Sequence, residues 1–389
     1  MKKWKGILWK TVSYVLVACL ASVITLALAL GSPNGGIMKL RQIDRLIESV
    51  FINEVDNTAV YDAAAEGMVA ATGDKWSYYI SASQMDAYNR QKDNEYIGVG
   101  ITIRQREDGK GFDILQVAPN GPAHKQGILP GDILYGVEGE LVADLGMEET
   151  GNRIGGKEGT QVTVTVLRQE QELSFTLERR KIQVAVATGK LLSGNVGYIR
   201  IENFNTGCAD QTIACIEDLQ AQGAEKLVFD VRYNGGGYVT QMVKLLDYIL
   251  PEGELFVSED YTGEREVETS DESCVKMPMV VLVNESSYSA AEFFAAALRE
   301  YDWASVVGLP TSGKGYFQST YLLSDGSAVA LSIGKYYTPK GVSLAEEGGL
   351  IPDVTVQVDE QTAAAIYSQT IDPADDPQLQ AAIKTLQSF

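Results

Sequence analysis

Between residues 196 and 358, short apolar segments alternate with segments of helical periodicity. The apolar segments are VGYIRIENF, KLVFDVRYN, PMVVLVNE and SVVGLP, and the helical ones cover residues 208–222, 238–249 and 290–299. This order predicts parallel strands joined by crossover helices. The run VVLV at 280–283 is apolar at every position, which indicates a sheet covered on both faces. This part of the chain is therefore expected to form an α/β core with a parallel sheet.

Three polar loops follow strands of this predicted core. They are RYNGGGY at 232–238, NESSYSAAE at 284–292 and PTSGKGYFQ at 310–318. Parallel α/β sheets place their binding sites outside the carboxyl ends of the strands. The three loops are therefore expected to meet in one candidate site.

Ser289 and the triglycine at 235–237 each allow a structural and a chemical interpretation. Residues 289–292 (SAAE) have the spacing of a helix capping box, in which the hydroxyl binds the Glu292 amide. A serine at a helix start also lies where backbone amides stabilise a developing negative charge. The triglycine can form a simple turn, or it can bring bare amides close to a substrate carbonyl. The local sequence leaves these alternatives open.

Lys314 ends a segment that partly matches a phosphate-binding loop. Residues 308–314 read GLPTSGK, but Gly315 stands where such a loop needs Ser or Thr to hold magnesium. His124 is the only histidine, so a serine nucleophile would require a different base. No spacing typical of metal ligands occurs either. We therefore expect neither a nucleotide nor a metal, and no cofactor.

The segments that flank the core have periodicities of their own. Leu40, Ile43, Leu46 and Ile47 recur at helical spacing, so residues 38–92 are predicted to be a helical packing or dimerisation segment. Between residues 95 and 182 the apolar period changes to two and glycine turns intervene, which predicts a small mixed α/β module. Residues 359–389 are predicted to be helical and show no chemical signature.

The amino terminus is basic and then apolar. Four lysines lie within residues 1–10, and residues 11–30 carry no charge. Twenty helical residues span about 30 Å, the thickness of a bilayer core, so residues 11–31 are predicted to form one transmembrane helix. The lysines favour a cytoplasmic tail at 1–10 and a body on the outer side of the cell membrane. A cleaved signal peptide ending near 27–29 and a lipoprotein box ending at Cys19 are the alternatives.

The rest of the chain is strongly acidic. Beyond residue 10 it carries 52 acidic against 28 basic residues, although the overall hydrophobic content of 45% is ordinary. A body of this charge repels phosphate backbones. Nucleic acid is therefore not expected as a partner.

Taken in order, the motifs of residues 74–358 resemble those of the C-terminal processing peptidases, also called tail-specific proteases. The shared segments are GDKWSYYIS, VFDVRYNGGG, VLVNESSYSAAE, VVGLPTSGKGYFQ, LSDGSA, KYYTP and GLIPDV. The most specific element is S-x-S-A-x-E, followed by the lysine of G-K-G and by a glutamine four residues later. By this resemblance Ser289 is the nucleophile, Lys314 is the general base, and Gln318 orients the lysine.

The resemblance also implies a fold and two binding functions. The core would have the crotonase/ClpP-like parallel-sheet architecture, and residues 95–182 would be an inserted PDZ domain. Ile97-Gly98-Val99-Gly100 matches the carboxylate-binding loop of such domains, which hold a peptide tail as an added strand. Both the resemblance and the need to stabilise an oxyanion suggest the backbone amides of Gly235 or Gly236, together with that of Ala290.

The chain departs from the family pattern beside the nucleophile and the base. Tyr288 stands where the family usually has a small residue, Ala291 where it often has serine, and Tyr316-Phe317 where it has Thr-Val. The implied function is a membrane-anchored endopeptidase that binds protein tails. The alternatives are an inactive adaptor that binds tails and, from a different class, an acyl-CoA enzyme of the crotonase type.

Overall fold

The structure, a computed structural model, describes residues 9, 12–23, 25, 35–106 and 108–387. The predicted transmembrane helix over residues 11–31 lies partly outside these ranges, as does most of the basic tail at 1–10. Within the described ranges, no helix is both long and apolar enough to cross a membrane. The chain divides into two compact units, residues 1–73 and 74–389.

The first unit contains the helices α1 (Gly36–Val50) and α2 (Asn57–Ala70). The Asp56 carboxylate begins α2 by accepting a hydrogen bond from the Thr58 amide at 2.9 Å. The Tyr61 hydroxyl of α2 donates to Asp44 of α1 at 2.9 Å. No residue of α1 is buried: of the apolar side chains predicted to pack or dimerise, Leu40, Ile43 and Leu46 are exposed and Ile47 is partly buried.

The second unit holds the remaining described elements, which all lie beyond residue 74. In chain order they are β1 (Tyr78–Ile80), α3 (Met85–Lys92), β2 (Glu95–Gly98), β3 (Ile101–Gln105), β4 (Phe112–Val117), α4 (Pro122–Lys125), β5 (Ile133–Val137), β6 (Glu140–Leu141), α5 (Val142–Ile154), β7 (Gln161–Arg168), β8 (Gln171–Glu178), β9 (Arg180–Gln183), β10 (Ala187–Leu192), β11 (Val196–Ile201), α6 (Cys208–Ala221), β12 (Lys226–Asp230), α7 (Val239–Ile249), β13 (Gly253–Asp260), β14 (Arg265–Ser270), β15 (Met279–Val283), α8 (Ala290–Glu300), β16 (Ala304–Gly308), β17 (Tyr316–Leu322), β18 (Ala328–Tyr337), α9 (Leu344–Glu347), β19 (Val354–Thr355), α10 (Glu360–Tyr367) and α11 (Pro377–Thr385).

A six-stranded sheet forms the centre of this unit. Its order is β10-β11-β12-β15-β16-β19, with β10 antiparallel to β11 and the other neighbours parallel. The predicted parallel sheet is thereby confirmed. Alternate residues of β12 point to opposite faces: Phe229 packs in the core that contains α6, α7 and α8, and Val228 packs with Leu379 of α11. Both faces are covered, as the continuous apolar runs predicted.

A second, five-stranded sheet lies next to the loop that carries Lys314. Its order is β1-β18-β13-β14, and β17 also pairs with β18. The strand β1 falls within residues 38–92, which were predicted to be helical. Its residues pair with β18, so a short stretch of polar and aromatic residues is recruited into a sheet by a distant partner. Local periodicity carries no signal of that pairing.

Residues 95–183 form the predicted mixed α/β module. Its sheet has the order β3-β4-β5-β7-β8, with β6 paired to β5, and its core includes Val99, Ile114, Leu134 and Val164. The strand β3 lies at the edge of this sheet. A separate ribbon of β2 and β9 forms the stem through which the chain enters and leaves the module.

Candidate active site

The three predicted loops meet at the carboxyl ends of β12, β15 and β16. The Tyr288 amide donates to the Asn234 carbonyl at 3.1 Å, and the Ser312 amide donates to the Ser287 carbonyl at 3.2 Å. The Ser287 hydroxyl donates to the Val231 carbonyl at 2.7 Å. These bonds tie each loop to its neighbour, so the expected single site is present.

Ser289 occupies the N-cap of α8 in an unusual backbone conformation. Its φ is +58° and its ψ is −128°, a region in which a residue with a Cβ is strained. The side chain is only 8% exposed. Surrounding contacts hold the strained residue in place, and backbone strain of this kind is common at functional sites.

Glu292 is the residue that joins Ser289 to Lys314. It is fully buried, and its Oε2 accepts hydrogen bonds from the Ser289 amide and the Lys314 amide, both at 2.8 Å. Its Oε1 accepts from the Gly313 amide at 2.7 Å and from the Thr311 hydroxyl. The predicted capping box is therefore present, but the glutamate does more than cap α8. One carboxylate holds the backbones of both proposed catalytic residues.

The Lys314 amine lies beside two aromatic rings that also contact each other. Its Nζ is 4.6 Å from the ring centroid of Trp76 and 5.8 Å from that of Tyr288. Burial, reinforced by the positive charge of Lys92, lowers the pKa of Lys314 to about 8, although Asp74 and Glu292 oppose the shift. No hydrogen bond joins this Nζ to Ser289 Oγ among the described residues.

The strand β16 precedes the loop that carries Lys314. Its residues Ala304, Val306 and Val307 are packed in hydrophobic cores of the sheet. They are buried because β16 is a central strand, covered on both faces. The rings that flank the amine come from other loops instead.

Among the described residues, no hydrogen bond joins the Gln318 side chain to Lys314. Gln318 Nε2 donates to the Ser332 hydroxyl at 3.0 Å and to the Tyr316 carbonyl at 3.2 Å. These bonds hold the side chain on β17, which follows Lys314 directly. The strand that follows Lys314 also rules out the phosphate-loop interpretation, because that loop must open a helix.

The glycine loop offers unequal oxyanion donors. The Gly236 amide already donates to Asn234 Oδ1 at 2.8 Å. The amides of Gly235 and Ala290 make no hydrogen bond to another described residue. A Cβ at Gly236 would lie 2.8 Å from the Ser289 Cβ, so only glycine permits this close approach. Of the three backbone amides predicted to stabilise an oxyanion, those of Gly235 and Ala290 therefore remain available to a ligand.

A cavity of about 650 Å³ opens beside this loop. It is lined by the triglycine, Tyr288, and polar residues between 87 and 96 and between 202 and 205. The segment at 202–205 is also bonded to the residue that precedes the stem of the mixed α/β module: the Asn203 side-chain amide donates to the Asn94 side-chain oxygen at 3.0 Å. The adjacent Phe204 amide donates to the Gly236 carbonyl at 2.8 Å. The stem and the glycine loop therefore share one hydrogen-bonded segment.

Of the predicted carboxylate-binding loop at 97–100, Ile97 and Gly98 belong to the stem strand β2 and pair with β9, and Val99 and Gly100 connect the stem to the edge strand β3. Val99 is buried, and its carbonyl accepts from the Ala123 amide at 2.9 Å. The strand β3 pairs only with β4 among the described strands, so its other edge is open to an added strand.

Sequence reasoning missed three residues of this site. Trp76 gave no signal beyond its place in a family-like segment, and Asn234 was recognised only as the residue before the glycines. Glu292 was recognised as a helix cap. Only the three-dimensional structure shows that it is buried among the three loops and binds two of them.

The fold and site define a class: a peptidase-type α/β core with a strained serine at a helix start and an inserted peptide-binding module. Residues 195–356 match the model of peptidase family S41, and residues 96–178 match that of the PDZ domain. The predicted resemblance is thereby confirmed: the chain has a family S41 core and a PDZ domain.

The chain is also similar to individual proteins and solved structures. The chain is 29% identical over 338 residues to a CtpA-like serine protease of Staphylococcus aureus strain N315, covering 85% of this chain and 67% of that one. An S41 protease structure from Bacteroides fragilis is similar with a TM-score of 0.53 at 15% identity, covering 89% and 97% of the two chains, and shows a shared fold. A photosystem II D1 C-terminal processing protease is 27% identical with a TM-score of 0.48, covering 89% and 93%.

Proposed function

We propose that this protein is an extracytoplasmic serine endopeptidase, anchored in the cell membrane by its amino terminus, that binds protein C-terminal tails and cleaves peptide bonds with Ser289 and Lys314. The observation that carries the proposal is the buried Glu292, which holds the backbone amides of both residues with one carboxylate. If Glu292 only capped α8, it would not also bind the backbone of Lys314, a half-buried lysine whose pKa is lowered to about 8.

The chemistry follows from the groups in place. Ser289 Oγ attacks the scissile carbonyl carbon and transfers its proton to neutral Lys314 Nζ. The resulting oxyanion is stabilised by the amides of Gly235 and Ala290. Collapse of this intermediate expels the amine fragment, which takes the proton from Nζ. Water then attacks the acyl carbonyl carbon and gives a proton to the again neutral Lys314 Nζ. The acyl bond to Ser289 Oγ breaks, and Nζ returns the proton to that oxygen, which restores both groups.

The proposed reaction requires two adjustments from the described state. Lys314 Nζ must come within hydrogen-bonding reach of Ser289 Oγ, and the Gln318 amide oxygen would then orient it. Substrate binding in the cavity beside the glycine loop supplies a cause for both movements. Such geometry is commonly incomplete before substrate binds.

Tail binding is assigned to the PDZ domain. The amides of residues 97–100 would hold a terminal carboxylate, and the tail would add as a strand to the open edge of β3. The exposed apolar face of α1 would serve as a homodimer contact. Neither role requires a cofactor, a metal or nucleic acid.

The central test compares purified wild type with Ser289→Ala and Lys314→Ala on an unstructured protein that has a free carboxyl terminus. We expect both variants to lose cleavage while keeping the circular dichroism and melting profile of the wild type. Undiminished hydrolysis by both variants would refute the proposal.

The inactive adaptor is the second candidate, and one observation favours it: Lys314 Nζ is not hydrogen-bonded to Ser289 in this structure. A pull-down with tail peptides combined with fragment analysis separates the two functions. An adaptor retains tails and produces no fragments, whereas a peptidase produces fragments that disappear in Ser289→Ala.

A further inference from the structure

We infer that Trp76 is a positioning residue for Lys314: its ring, together with that of Tyr288, forms an aromatic seat that orients the amine and excludes water from it. The aromatic seat is defined here as these two rings. This inference rests on the proposed function, in which Lys314 is the general base. It adds a residue that positions that base.

The geometry of the seat places both rings against the amine. The Trp76 and Tyr288 centroids are 5.6 Å apart, with 35° between the ring planes. Lys314 Nζ lies 4.6 Å from the first centroid and 5.8 Å from the second. Both distances are within the range in which a ring face attracts a cation. Lys75 Nζ also lies 4.5 Å from the Trp76 centroid.

The rings are not occupied by core packing. Neither Trp76 nor Tyr288 belongs to the hydrophobic cores of the described chain or packs against them. The described partners of the Trp76 ring are instead the amines of Lys75 and Lys314 and the ring of Tyr288. Tyr288 is also the position at which the chain departs from the small residue that is usual in the family.

The backbone beneath Trp76 is firmly attached to the core. Asp74 accepts hydrogen bonds from the Trp76 amide at 3.0 Å and from the Ser77 hydroxyl at 2.6 Å. The Ser77 hydroxyl in turn accepts from the Ser332 amide of β18 at 3.0 Å. The ring is therefore presented to Lys314 by a segment tied to the sheet, which suits a positioning role.

The rings act on the lysine in two opposed ways. Attraction to the ring faces favours the charged amine, whereas exclusion of water favours the neutral one. The other groups that face Lys314 are Lys92, which disfavours the charge, and Asp74 and Glu292, which favour it. Burial is the largest cause of the lowered pKa of Lys314, and the two rings are expected to act mainly by contributing to that burial.

These opposed effects predict variants that shift the lysine in opposite directions. Trp76→Ala admits water and is expected to raise the pKa of Lys314 by about one pH unit. Trp76→Leu keeps an apolar cover without the ring's attraction and is expected to lower the pKa. Trp76→Phe keeps both effects and is expected to leave it nearly unchanged.

The experiment measures Lys314 directly, in full-length protein carrying Ser289→Ala. An amine-reactive acylating reagent is applied across pH 6 to 11, and mass spectrometry reports the modified fraction at residue 314. Trp303→Ala is the matched control, because Trp303 is a half-buried tryptophan that packs against the main core instead. In parallel, the acid limb of kcat/KM is measured for the same Trp76 variants with Ser289 intact.

The outcomes separate the inference from the proposed function. Opposite shifts for Trp76→Ala and Trp76→Leu, absent in Trp303→Ala, support the seat. An unchanged titration of Lys314 in both Trp76 variants, or the same shift in Trp303→Ala, overturns it. If Lys314 titrates as expected but wild type cleaves no peptide, the seat stands and the proposed peptidase function fails.

Discussion

At the scale of single residues, Lys314 governs the proposed chemistry through its protonation state. Only the neutral amine accepts the Ser289 proton, and burial lowers the pKa of this lysine to about 8. Below that value the neutral fraction rises about tenfold per pH unit, and above it the fraction approaches one. We therefore expect kcat/KM to rise from pH 6 to about 8 and then level off. A profile that is flat over this range, with chemistry rate-limiting, would contradict a lysine base.

Glu292 supplies a second prediction at this scale. Each of its carboxylate oxygens accepts two hydrogen bonds, and glutamine has only one acceptor oxygen. In either orientation, Glu292→Gln would place an NH2 group against two donors. We expect a loss of about 3 kcal/mol in the free energy of unfolding and roughly a hundredfold loss of kcat, because the site is misplaced.

The matched control for this variant is Glu300→Gln at the other end of α8. Glu300 accepts from the Thr338 hydroxyl at 2.7 Å and the Lys340 amide at 2.8 Å, away from the three loops. We expect a smaller stability loss and unchanged kcat. Denaturant unfolding and steady-state kinetics give both quantities. Equal kcat losses in the two variants would show that Glu292 has no special role.

At the scale of elements, the carboxyl-terminal helix α11 supports the strand that leads to the glycine loop. Arg232 follows β12, is almost fully buried, and donates to Asp230 at 2.6 Å and to Asp376 at 2.8 Å. Burial raises the pKa of Asp230, but the charge of Arg232 and its hydrogen bonds outweigh burial and lower it. The stabilisation is therefore present at neutral pH and is lost as pH falls into the acid range.

Asp376→Asn tests this connection. Asparagine caps a helix about as well as aspartate, so the cap of α11 is retained and only the buried ion pair is lost. We expect a destabilisation of about 3 kcal/mol and reduced activity, because Arg232 keeps a single carboxylate partner. Chemical denaturation and peptide cleavage measure the two effects.

Asp359→Asn at α10 is the control for the ion pair. Asp359 is also an N-cap, accepting from the Thr362 amide at 2.7 Å, but it is exposed and has no arginine partner among the described residues. We expect its stability loss to stay below about 1 kcal/mol. A similar loss in both variants would mean that capping, not the buried pair, explains the effect.

At the scale of the whole molecule, the proposed anchor predicts whether the protein is recovered in the membrane fraction or in the aqueous fraction of the cell. The charge-free run at 11–30 should hold the full chain in membranes, whereas a chain of residues 35–389, with its acidic composition, should remain in the aqueous fraction. Fractionation and carbonate extraction of cells that express each form measure this. Recovery of the full chain in the aqueous fraction without processing would contradict a retained anchor.

The sequence alone determined the alternation of strands and helices in the core, its parallel sheet and the three loops at the carboxyl ends of its strands, because apolar periodicity is a local property. Its motif spacing also selected Ser289 and Lys314. Only the tertiary structure brought Trp76 to the lysine, turned Glu292 from a cap into a link between two loops, and paired Arg232 with Asp376. Those contacts join segments far apart along the chain, and they depend on which strands pair and which faces are covered. No local pattern records that information.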